Sequence, residues 1–170
     1  MNKHPISIRL LTKDDFKIIE TAFKEQGWDK PASQFEQYAR EQDKGERIIL
    51  VAEYLNQFAG YVTIKWQSTY PPFLEMDIPE IVDLNVLIDY QNKGIATKLL
   101  DEAEKMVADT HFTIGIGFGL IEDYGAAQRL YVRRGYLPDG RGISQNGKQL
   151  KRGDQVQVDD DLALYLTKTL

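Results

Sequence analysis

The sequence of 170 residues lacks cysteine altogether and contains only two histidines, His4 and His111. The absence of cysteine excludes disulfide bonds, cysteine nucleophiles and zinc or iron–sulfur sites with cysteine ligands. Two histidines without an HExxH motif argue against a histidine-based catalytic triad and against a multi-histidine metal site. We therefore expect chemistry that uses no bound metal.

The sequence also lacks long apolar runs and an excess of positive charge. No apolar run approaches the roughly 20 residues that span a bilayer, and the polar N-terminus does not resemble a targeting segment. The 21 Lys and Arg are outnumbered by 26 Asp and Glu, which gives a formal net charge of −5. Because binding to phosphates needs a basic surface, nucleic acid is not an expected partner. These absences predict a cytoplasmic protein with neither a membrane nor a nucleic-acid partner.

What is present is the composition of an ordinary globular protein, with 42% apolar and 28% charged residues. We therefore predict one domain over residues 1–170. Apolar periodicity predicts strands at 6–10, 47–53, 58–65, 81–87, 112–118 and 162–168, and a short strand that starts at Tyr136. It predicts helices after an N-cap at Thr12, at about 33–42, from the turn at 91–96 to about 107, and at about 124–134. The interleaving of strands and helices predicts an α/β fold with hairpins and one parallel βαβ step.

Two segments are rich in residues that interrupt regular strand pairing. Residues 66–80 include the adjacent prolines Pro71 and Pro72, which predict a loop. Residues 138–153 are rich in glycine and polar residues and predict a loop or a loose hairpin.

The segment Gln91-Asn92-Lys93-Gly94-Ile95-Ala96 joins the predicted strand at 81–87 to the predicted helix, which runs on from this turn to about residue 107. At a helix start several backbone N–H groups lack intrahelical partners, and the helix dipole adds positive potential there. With Gly94 and Ala96 allowing close approach and Lys93 adding one charge, the turn can bind a phosphate or pyrophosphate. A plain tight turn between strand and helix is the alternative, since glycine is common there too.

A second segment, Ala127-Gln128-Arg129-Leu130-Tyr131-Val132-Arg133-Arg134-Gly135-Tyr136, adds a family resemblance. Together the two segments resemble the GCN5-related N-acetyltransferase (GNAT) family, whose pyrophosphate loop is Gln/Arg-x-x-Gly-x-Gly/Ala and whose later motif is Ala-x-x-Leu-Tyr-x-x-x-Gly-Phe/Tyr. The resemblance covers about residues 6–136. It implies a GNAT-like mixed, mostly antiparallel central sheet with a parallel βαβ step and flanking helices, and acetyl-CoA as the acetyl donor.

The resemblance also implies which residues hold acetyl-CoA. The strand before the loop offers backbone groups to the acetyl and pantetheine portions, which assigns Leu84, Asn85 and Val86. The pyrophosphate is assigned to backbone amides of the loop and the helix start, namely those of Asn92, Lys93, Gly94, Ile95, Ala96 and Thr97.

Two tyrosines are further candidates. The resemblance places Tyr131 near the thioester sulfur, as general acid for the departing thiolate; a core aromatic on the apolar helix face is the alternative. Tyr124 stands where many members of the family have asparagine. Whether its longer phenol makes the same contact with the cofactor is left open by the resemblance.

The acceptor must attack the thioester as a neutral amine, so a carboxylate or a water chain is expected to take its proton. Asp83 is the first candidate for this general base, because it lies two residues before Asn85 and both side chains leave the same face of a strand. Glu75 and Glu80, acting through water, are alternatives. A structural or solvated acid is the other interpretation of Asp83.

Residues 67–92 contain five acids and neither Lys nor Arg. Such a stretch raises the local concentration of a cationic acceptor. Trp66, Tyr70, Phe73 and Glu75 are predicted to line the acceptor side, with the aromatic residues as an apolar wall or lid. A solvated acidic surface with aromatic residues anchored in the core is the alternative.

These observations predict an N-acetyltransferase that moves the acetyl group of acetyl-CoA to a primary amine, most simply of a small cationic molecule, with a protein amine as the other acceptor class. The partners are then acetyl-CoA and the amine acceptor, and a homodimer is a possible assembly. The alternatives are a non-catalytic acyl-CoA-binding module and a protein that uses the fold for interaction alone. Thiol release from acetyl-CoA with an amine separates the enzyme from both.

Two other segments resemble nucleotide-binding motifs without matching them. Gly115-Ile116-Gly117-Phe118-Gly119 is followed by Leu120, where GxGxxG needs its third glycine. Residues 142–148 match GxxxxGK, but Gln149 follows where a P-loop has Ser or Thr. We therefore expect neither a dinucleotide site nor nucleotide hydrolysis.

Overall fold

The structure, a computed structural model, describes residues 5–170. In chain order its strands and helices are β1 (Ile6–Leu10), α1 (Asp15–Glu25), α2 (Ala32–Asp43), β2 (Arg47–Tyr54), β3 (Gln57–Lys65), α3 (Pro71–Glu75), β4 (Glu80–Val86), α4 (Ile95–Ala108), β5 (Thr113–Gly119), α5 (Gly125–Arg133), β6 (Leu137–Gln145), β7 (Lys148–Gln149) and β8 (Leu162–Thr169). The chain forms two compact units. The first unit contains the described residues up to Trp66 together with Ile81–Met106, and the second contains Gln67–Glu80 and Val107–Leu170.

In the first unit the strands are neighbours in the order β1, β2, β3, β4. Both β1 and β3 run antiparallel to β2, with Leu50 opposite Val62. Leu55 and Asn56 connect β2 to β3 with φ of 51° and 64°. These left-handed conformations are the ones that a two-residue type I′ turn needs, so a tight hairpin forms here.

The core of the first unit combines residues of α1, α2, β2 and β3 with the residues that directly follow β1 and β4. Its buried members are Leu11, Ile19, Phe23, Phe35, Ile49, Val51, Tyr61 and Leu87. The Tyr61 ring meets Phe23 and Phe35 edge-on, with centroids 5.9 and 5.2 Å away. Burying these rings is favourable, but it also carries the Tyr61 hydroxyl into the interior, where it needs a hydrogen-bond partner.

A charged network fixes the start of α1. The Asp15 carboxylate accepts hydrogen bonds from the Thr12 N–H and hydroxyl at 2.7 and 2.9 Å, and from Arg9 at 2.7 and 2.8 Å. The predicted Thr12 cap is therefore wrong, because Thr12 donates to Asp15 and Asp14 occupies the N-cap position. Burial raises the pKa of Asp15, but the hydrogen bonds from Arg9 and Thr12 outweigh it and lower the pKa below its ordinary value.

In the second unit the strands are neighbours in the order β5, β8, β6, β7, all antiparallel. Glycines at every second position of β5 leave one face of the strand without side chains, and aromatic rings fill that space. The pairs are Gly115 with Phe73, Gly117 with Tyr165 and Gly119 with Tyr124. The segment that resembles a dinucleotide motif is thus a surface on which rings pack.

The two irregular segments contain more regular structure than the sequence predicts. The loop prediction for 66–80 misses α3, whose first residues are prolines, because the fixed φ of proline suits the first turn of a helix. For 138–153 the hairpin alternative is correct, since Ser144 of β6 pairs with Gln149 of β7. The register of β6 against β8 is irregular between Pro138 and Ile143.

The predicted α/β class is confirmed by a mostly antiparallel arrangement of strands with flanking helices. The sequence order β4–α4–β5 is the strand–helix–strand order of the predicted βαβ step. One domain over residues 1–170 stays a prediction. Within residues 5–170, no helix is both long and apolar enough to cross a bilayer.

Candidate active site

The turn after β4 gathers backbone N–H groups. A 3-10 turn at Ile88–Tyr90 follows the strand, and Asn92 and Gly94 then have φ of 59° and 82°. The Lys98 N–H donates to the Gly94 carbonyl at 3.0 Å, so the N–H groups between these residues precede the first helical hydrogen bond. Alternating left-handed residues direct such N–H groups toward one point, which suits an anion.

The space in front of this turn is open. Gly94 and Thr97 are exposed, whereas Ile95 is buried and Ala96 half-buried where the helix start is anchored. Apart from Gly94 itself and its two chain neighbours, no atom of residues 5–170 lies within 4 Å of a Cβ built on Gly94. A phosphate group can therefore reach the backbone at the positive end of α4, as the predicted pyrophosphate site requires.

Lys93 points back onto the turn. Its Nζ donates to the Asp89 carbonyl at 2.7 Å and lies 5.9 Å from the ring centroids of Tyr54 and Tyr90. A carbonyl and two aromatic faces hold the ammonium group in this position. We therefore expect anion binding here to depend on the backbone more than on the Lys93 charge.

The strand before the turn is irregular at Asp83. Asp83 has φ of 56°, a conformation that is unfavourable for a residue with a side chain. Asn85 passes close to Gly60, where an added Cβ would overlap the Asn85 carbonyl oxygen. Leu84, Asn85 and Val86 are half-buried, so this part of β4 is not sealed within the core.

The Asp83 carboxylate is the centre of a hydrogen-bonded cluster in the first unit. Its Oδ1 accepts from Lys30 Nζ at 2.6 Å and from Asn85 Nδ2 at 2.8 Å. Its Oδ2 accepts from the Tyr61 and Tyr38 hydroxyls at 2.6 and 2.9 Å. The Asp83 cluster consists of Asp83 and its donors, which are Lys30, Gln34, Tyr38, Tyr61 and Asn85.

The donors around Asp83 limit its use as a general base. Burial, followed by the charge of Asp83, raises the pKa of Tyr38 and Tyr61 well above the ordinary value for a phenol, so both remain neutral donors. Because a carboxylate has about four lone-pair positions, five donors leave none for a substrate proton. Asp83 can act as base only after a donor leaves, and its contacts favour the structural interpretation.

Tyr131, in α5 of the second unit, is 5% exposed. Its ring centroid lies 6.3 Å from that of Phe118 and 6.1 Å from that of Tyr136. Burial, with a smaller electrostatic effect of Tyr124, raises the pKa of Tyr131 above its usual value. The phenol is thus protonated at neutral pH, as a proton donor must be, in surroundings that also suit a core aromatic.

Tyr124 lies immediately before α5 and covers β5 at Gly119. A Cβ on Gly119 would come within 2.5 Å of the Tyr124 ring. The Tyr124 hydroxyl donates to Asp160 Oδ1 at 3.1 Å, and burial together with this hydrogen bond raises its pKa to about 12. The ring and hydroxyl therefore both have partners in the protein, and a contact with the cofactor stays a prediction.

The residues predicted for the acceptor side differ in exposure. Tyr70 and Phe73 are buried in the second unit, where the Tyr70 ring stacks on Tyr165 with centroids 3.7 Å apart. Their burial favours the core-anchoring alternative for these two residues. Trp66 in the first unit is half-buried and Glu75 is exposed, so both retain surface that an acceptor can contact.

Most of the partners of Asp83 are candidate functional residues that sequence reasoning missed. Lys30, Tyr38 and Tyr61 are 53, 45 and 22 positions away from Asp83 in the chain. One signal was available, since a tyrosine within the apolar strand β3 implies a buried hydroxyl that needs a partner. The sequence contains no signal that identifies Lys30.

Comparison with known families matches residues 13–136 to the acetyltransferase (GNAT) family. An N-acetyltransferase from Staphylococcus aureus Mu50 has a TM-score of 0.70 at 16% identity, covering 98% of this chain and 99% of its own. A ribosomal-protein-alanine N-acetyltransferase from Brucella melitensis has a TM-score of 0.69 at 19% identity, covering 96% and 99%. The structure of yncA from Salmonella typhimurium with its cofactor acetyl-CoA has a TM-score of 0.66 at 18% identity, covering 98% and 94%. A search of curated proteins found no match.

These structures are under 25% identical to the chain and establish a shared fold, whereas the family match extends over most of the chain. The chain therefore belongs to the GNAT family of acetyltransferases. It is an acetyl-CoA-dependent N-acetyltransferase, with acetyl-CoA as the acetyl donor. The predicted family, enzyme class and donor are confirmed, and the individual site residues stay predictions.

Proposed function

We propose that this enzyme transfers the acetyl group to a primary amine of a small cationic molecule. The observation that supports this acceptor class is the charge of residues 67–92, which include no Lys or Arg. Three acids of this stretch, Glu75, Asp77 and Asp89, are exposed. Exposed carboxylates attract a cation and raise its rate of encounter with the protein.

For the donor, we propose that the backbone of Leu84, Asn85 and Val86 binds the acetyl and pantetheine portions of acetyl-CoA. The backbone N–H groups of residues 92–97 bind the pyrophosphate. The left-handed conformations of Asn92 and Gly94 and the open space at Gly94 support the second assignment. Tyr124 is a further candidate, through its phenol.

In the proposed reaction the amine nitrogen attacks the thioester carbon directly, the C–S bond breaks, and CoA leaves as a thiolate that then takes a proton from water, while the base takes the proton of the amine. Tyr131 is the proposed general acid for the sulfur. Because burial raises its pKa, the phenol is a weaker acid than the thiol that forms, whose pKa is about 8.5. Its contribution is therefore a hydrogen bond that strengthens as charge develops on the sulfur, not a favourable proton transfer.

The amine must lose a proton, and three acids are candidates to receive it. Asp83 is surrounded by five donors. Glu80 is 5% exposed and accepts a hydrogen bond from the Ser68 hydroxyl at 2.5 Å. Glu75 is exposed and can take the proton through water without any rearrangement, so we propose that it be tested first, with Asp83 and Glu80 as alternatives.

The acceptor class is tested by thiol release from acetyl-CoA across amines of matched length. The panel pairs alkyl diamines with neutral and acidic monoamines, and adds aminoglycosides, amino acids and peptide N-termini. We expect the highest kcat/KM for a cationic amine and a loss of this preference in high salt, because screening lengths fall from about 8 Å at physiological ionic strength to about 3 Å at 1 M. An acidic acceptor used best, or a peptide N-terminus preferred at all salt concentrations, would contradict the proposal.

A charge variant sharpens this test. The variant Asp77→Asn removes one exposed negative charge from the acidic stretch and leaves the proposed base Glu75 in place. The matched control, Asp43→Asn, removes one exposed charge of the same type from α2. Only Asp77→Asn is expected to lower kcat/KM for the cationic amine, and both variants should leave CoA affinity unchanged.

A further inference from the structure

The Asp83 cluster has the chemistry of an ammonium-binding site, and an ammonium group occupies it. Lys30 Nζ lies 2.6 Å from Asp83 Oδ1 and 5.8 Å from the centroid of the Tyr61 ring. A carboxylate at hydrogen-bond distance and an aromatic face within about 6 Å are the two features that bind primary ammonium groups in proteins.

The carboxylate is held in place by neutral donors that do not depend on Lys30. Gln34 and Tyr38 come from α2, Tyr61 from β3 and Asn85 from β4, and they donate to Asp83 at 2.6 to 3.0 Å. Among the donors that the described residues supply, Lys30 is the charged one. Without Lys30 the four neutral donors still hold the carboxylate in position, and a cation of the right size can replace the lysine.

Lys30 differs from the other donors because it lies in a loop, whereas the other donors lie in helices or strands. It lies between α1 and α2, three residues after Gly27, whose φ is 81°. The side chains of Lys30 and Asp83 are 21% and 17% exposed, so the ion pair borders solvent and is not sealed in the core. A side chain on such a connection can withdraw without disturbing α2, β3 or β4.

The position of the cluster relates it to acetyl transfer. Asp83 and Asn85 lie on the same side of β4, as their hydrogen bond of 2.8 Å shows, and Asn85 is among the residues proposed to bind the acetyl donor. We propose that Asp83, Tyr38 and Tyr61 form a binding site for a primary ammonium group of the acceptor, and that the Lys30 side chain occupies this site until the acceptor displaces it. This inference rests on the proposed function, because it specifies how a cationic acceptor is bound.

The inference narrows the acceptor class. The amine that attacks the thioester must be neutral, whereas the group held by Asp83 is charged. An acceptor with two amines satisfies both requirements, because one stays protonated at Asp83 while the other reacts. We therefore expect an alkyl diamine to be a better acceptor than the monoamine of the same length.

The test uses n-butylammonium chloride as a probe, with sodium chloride at equal ionic strength as the reference. Lys30→Ala removes the resident ammonium and opens its space, and Lys44→Ala, an exposed lysine at the end of α2, is the control. Butylammonium is expected to raise the melting temperature of Lys30→Ala and to bind it at least tenfold more tightly than wild type or Lys44→Ala, since a tethered lysine competes at an effective concentration of about millimolar. Lys30→Ala/Asp83→Asn should lose this binding.

A second measurement guards against a folding defect in the alanine variant. Lys30→Met keeps the aliphatic stem and removes the charge, and its KM for the diamine should fall, whereas Lys44→Met should keep the wild-type KM. Equal butylammonium binding by Lys30→Ala and wild type, or an unchanged KM in Lys30→Met, would show that the ion pair is structural and would overturn the inference. A different result would contradict the proposed function itself: a cationic amine would then not promote thiol release from acetyl-CoA even in the wild-type enzyme.

Discussion

Glycine has opposite uses in the two units of this protein. At the turn before α4 in the first unit, Gly94 has φ of 82° and leaves open space in front of the backbone. Along β5 in the second unit, the missing side chains of Gly115, Gly117 and Gly119 are replaced by aromatic rings that lie against the strand. The first use makes backbone N–H groups available to a ligand, and the second closes a packed surface.

This difference separates the residues that should affect acetyl-CoA binding from those that should affect stability. A substitution at the turn fills space that the proposed pyrophosphate needs. A substitution on β5 fills space that the protein already uses, so its cost appears in folding. The same contrast applies to side chains, because Lys93 at the turn is held by a carbonyl oxygen whereas Tyr131 lies among rings.

The largest expected effect is the loss of CoA binding in Gly94→Val. A β-branched residue is disfavoured at φ of 82°, and its side chain would occupy the space in front of the N–H groups. Calorimetric titration with CoA measures the effect. Gly45→Val is the matched control, because Gly45 also has positive φ (73°) and no atom of the described chain within 4 Å of an added Cβ. Gly45→Val should lose about as much stability as Gly94→Val and keep wild-type affinity for CoA. Equal CoA affinity in the two variants would show that the turn at Gly94 does not bind the pyrophosphate.

Tyr131→Phe should give the next largest effect, on turnover. Loss of a general acid typically costs 10²–10⁴-fold, and we expect the low end, about 10²-fold, because the raised pKa of Tyr131 limits its contribution to a hydrogen bond with the sulfur. CoA affinity should not change. Since a raised pKa keeps the phenol protonated through neutral pH, the pH profile of kcat should keep its shape in the variant. Tyr136→Phe removes a hydroxyl from the same group of rings and should retain turnover; wild-type turnover in Tyr131→Phe would identify Tyr131 as a core residue.

A smaller effect, on stability, is expected for Gly115→Ala. The added Cβ would overlap the Phe73 ring, which is fully buried. Overpacking of this kind typically costs about 1–3 kcal/mol, and urea denaturation measures it. Gly125→Ala, at the start of α5, adds a methyl group where no described atom lies within 4 Å, so it should be neutral or slightly stabilising. The contrast between the two units would be wrong if the folded Gly115→Ala protein bound CoA more weakly than the folded wild-type protein.

The features that could be predicted from the sequence are those set by local pattern. The strand–turn–helix around Gly94 can be predicted from the sequence, because the strand, the glycine and the helix follow one another directly in the chain. The Asp83 cluster could not be predicted in this way, because its members are up to 53 positions apart in the chain. They meet only once packing has buried the Tyr61 hydroxyl beside Asp83. The burial of Tyr70 and Phe73 was also hidden, since it depends on the glycines of β5, which are more than 40 positions downstream. Local sequence thus indicates where backbone geometry is unusual, whereas side-chain partners depend on the completed fold.

The smallest expected effect is that of Lys93→Ala, which tests whether the turn binds through its backbone. Lys93 Nζ is already engaged by the Asp89 carbonyl at 2.7 Å and by the faces of Tyr54 and Tyr90, so its charge reaches a bound phosphate only as one exposed contact. Such contacts contribute about 1 kcal/mol or less, which is roughly fivefold in Kd. Titration of CoA at low and high salt measures this loss, with Lys98→Ala, an exposed lysine in the first turn of α4, as the control. If Lys93→Ala lowered CoA affinity by about 100-fold or more, and high salt abolished this difference, the charge of Lys93 would dominate binding at this turn. The ligand-binding role assigned to the Gly94 backbone, and with it the contrast to the packed glycines of β5, would then be wrong.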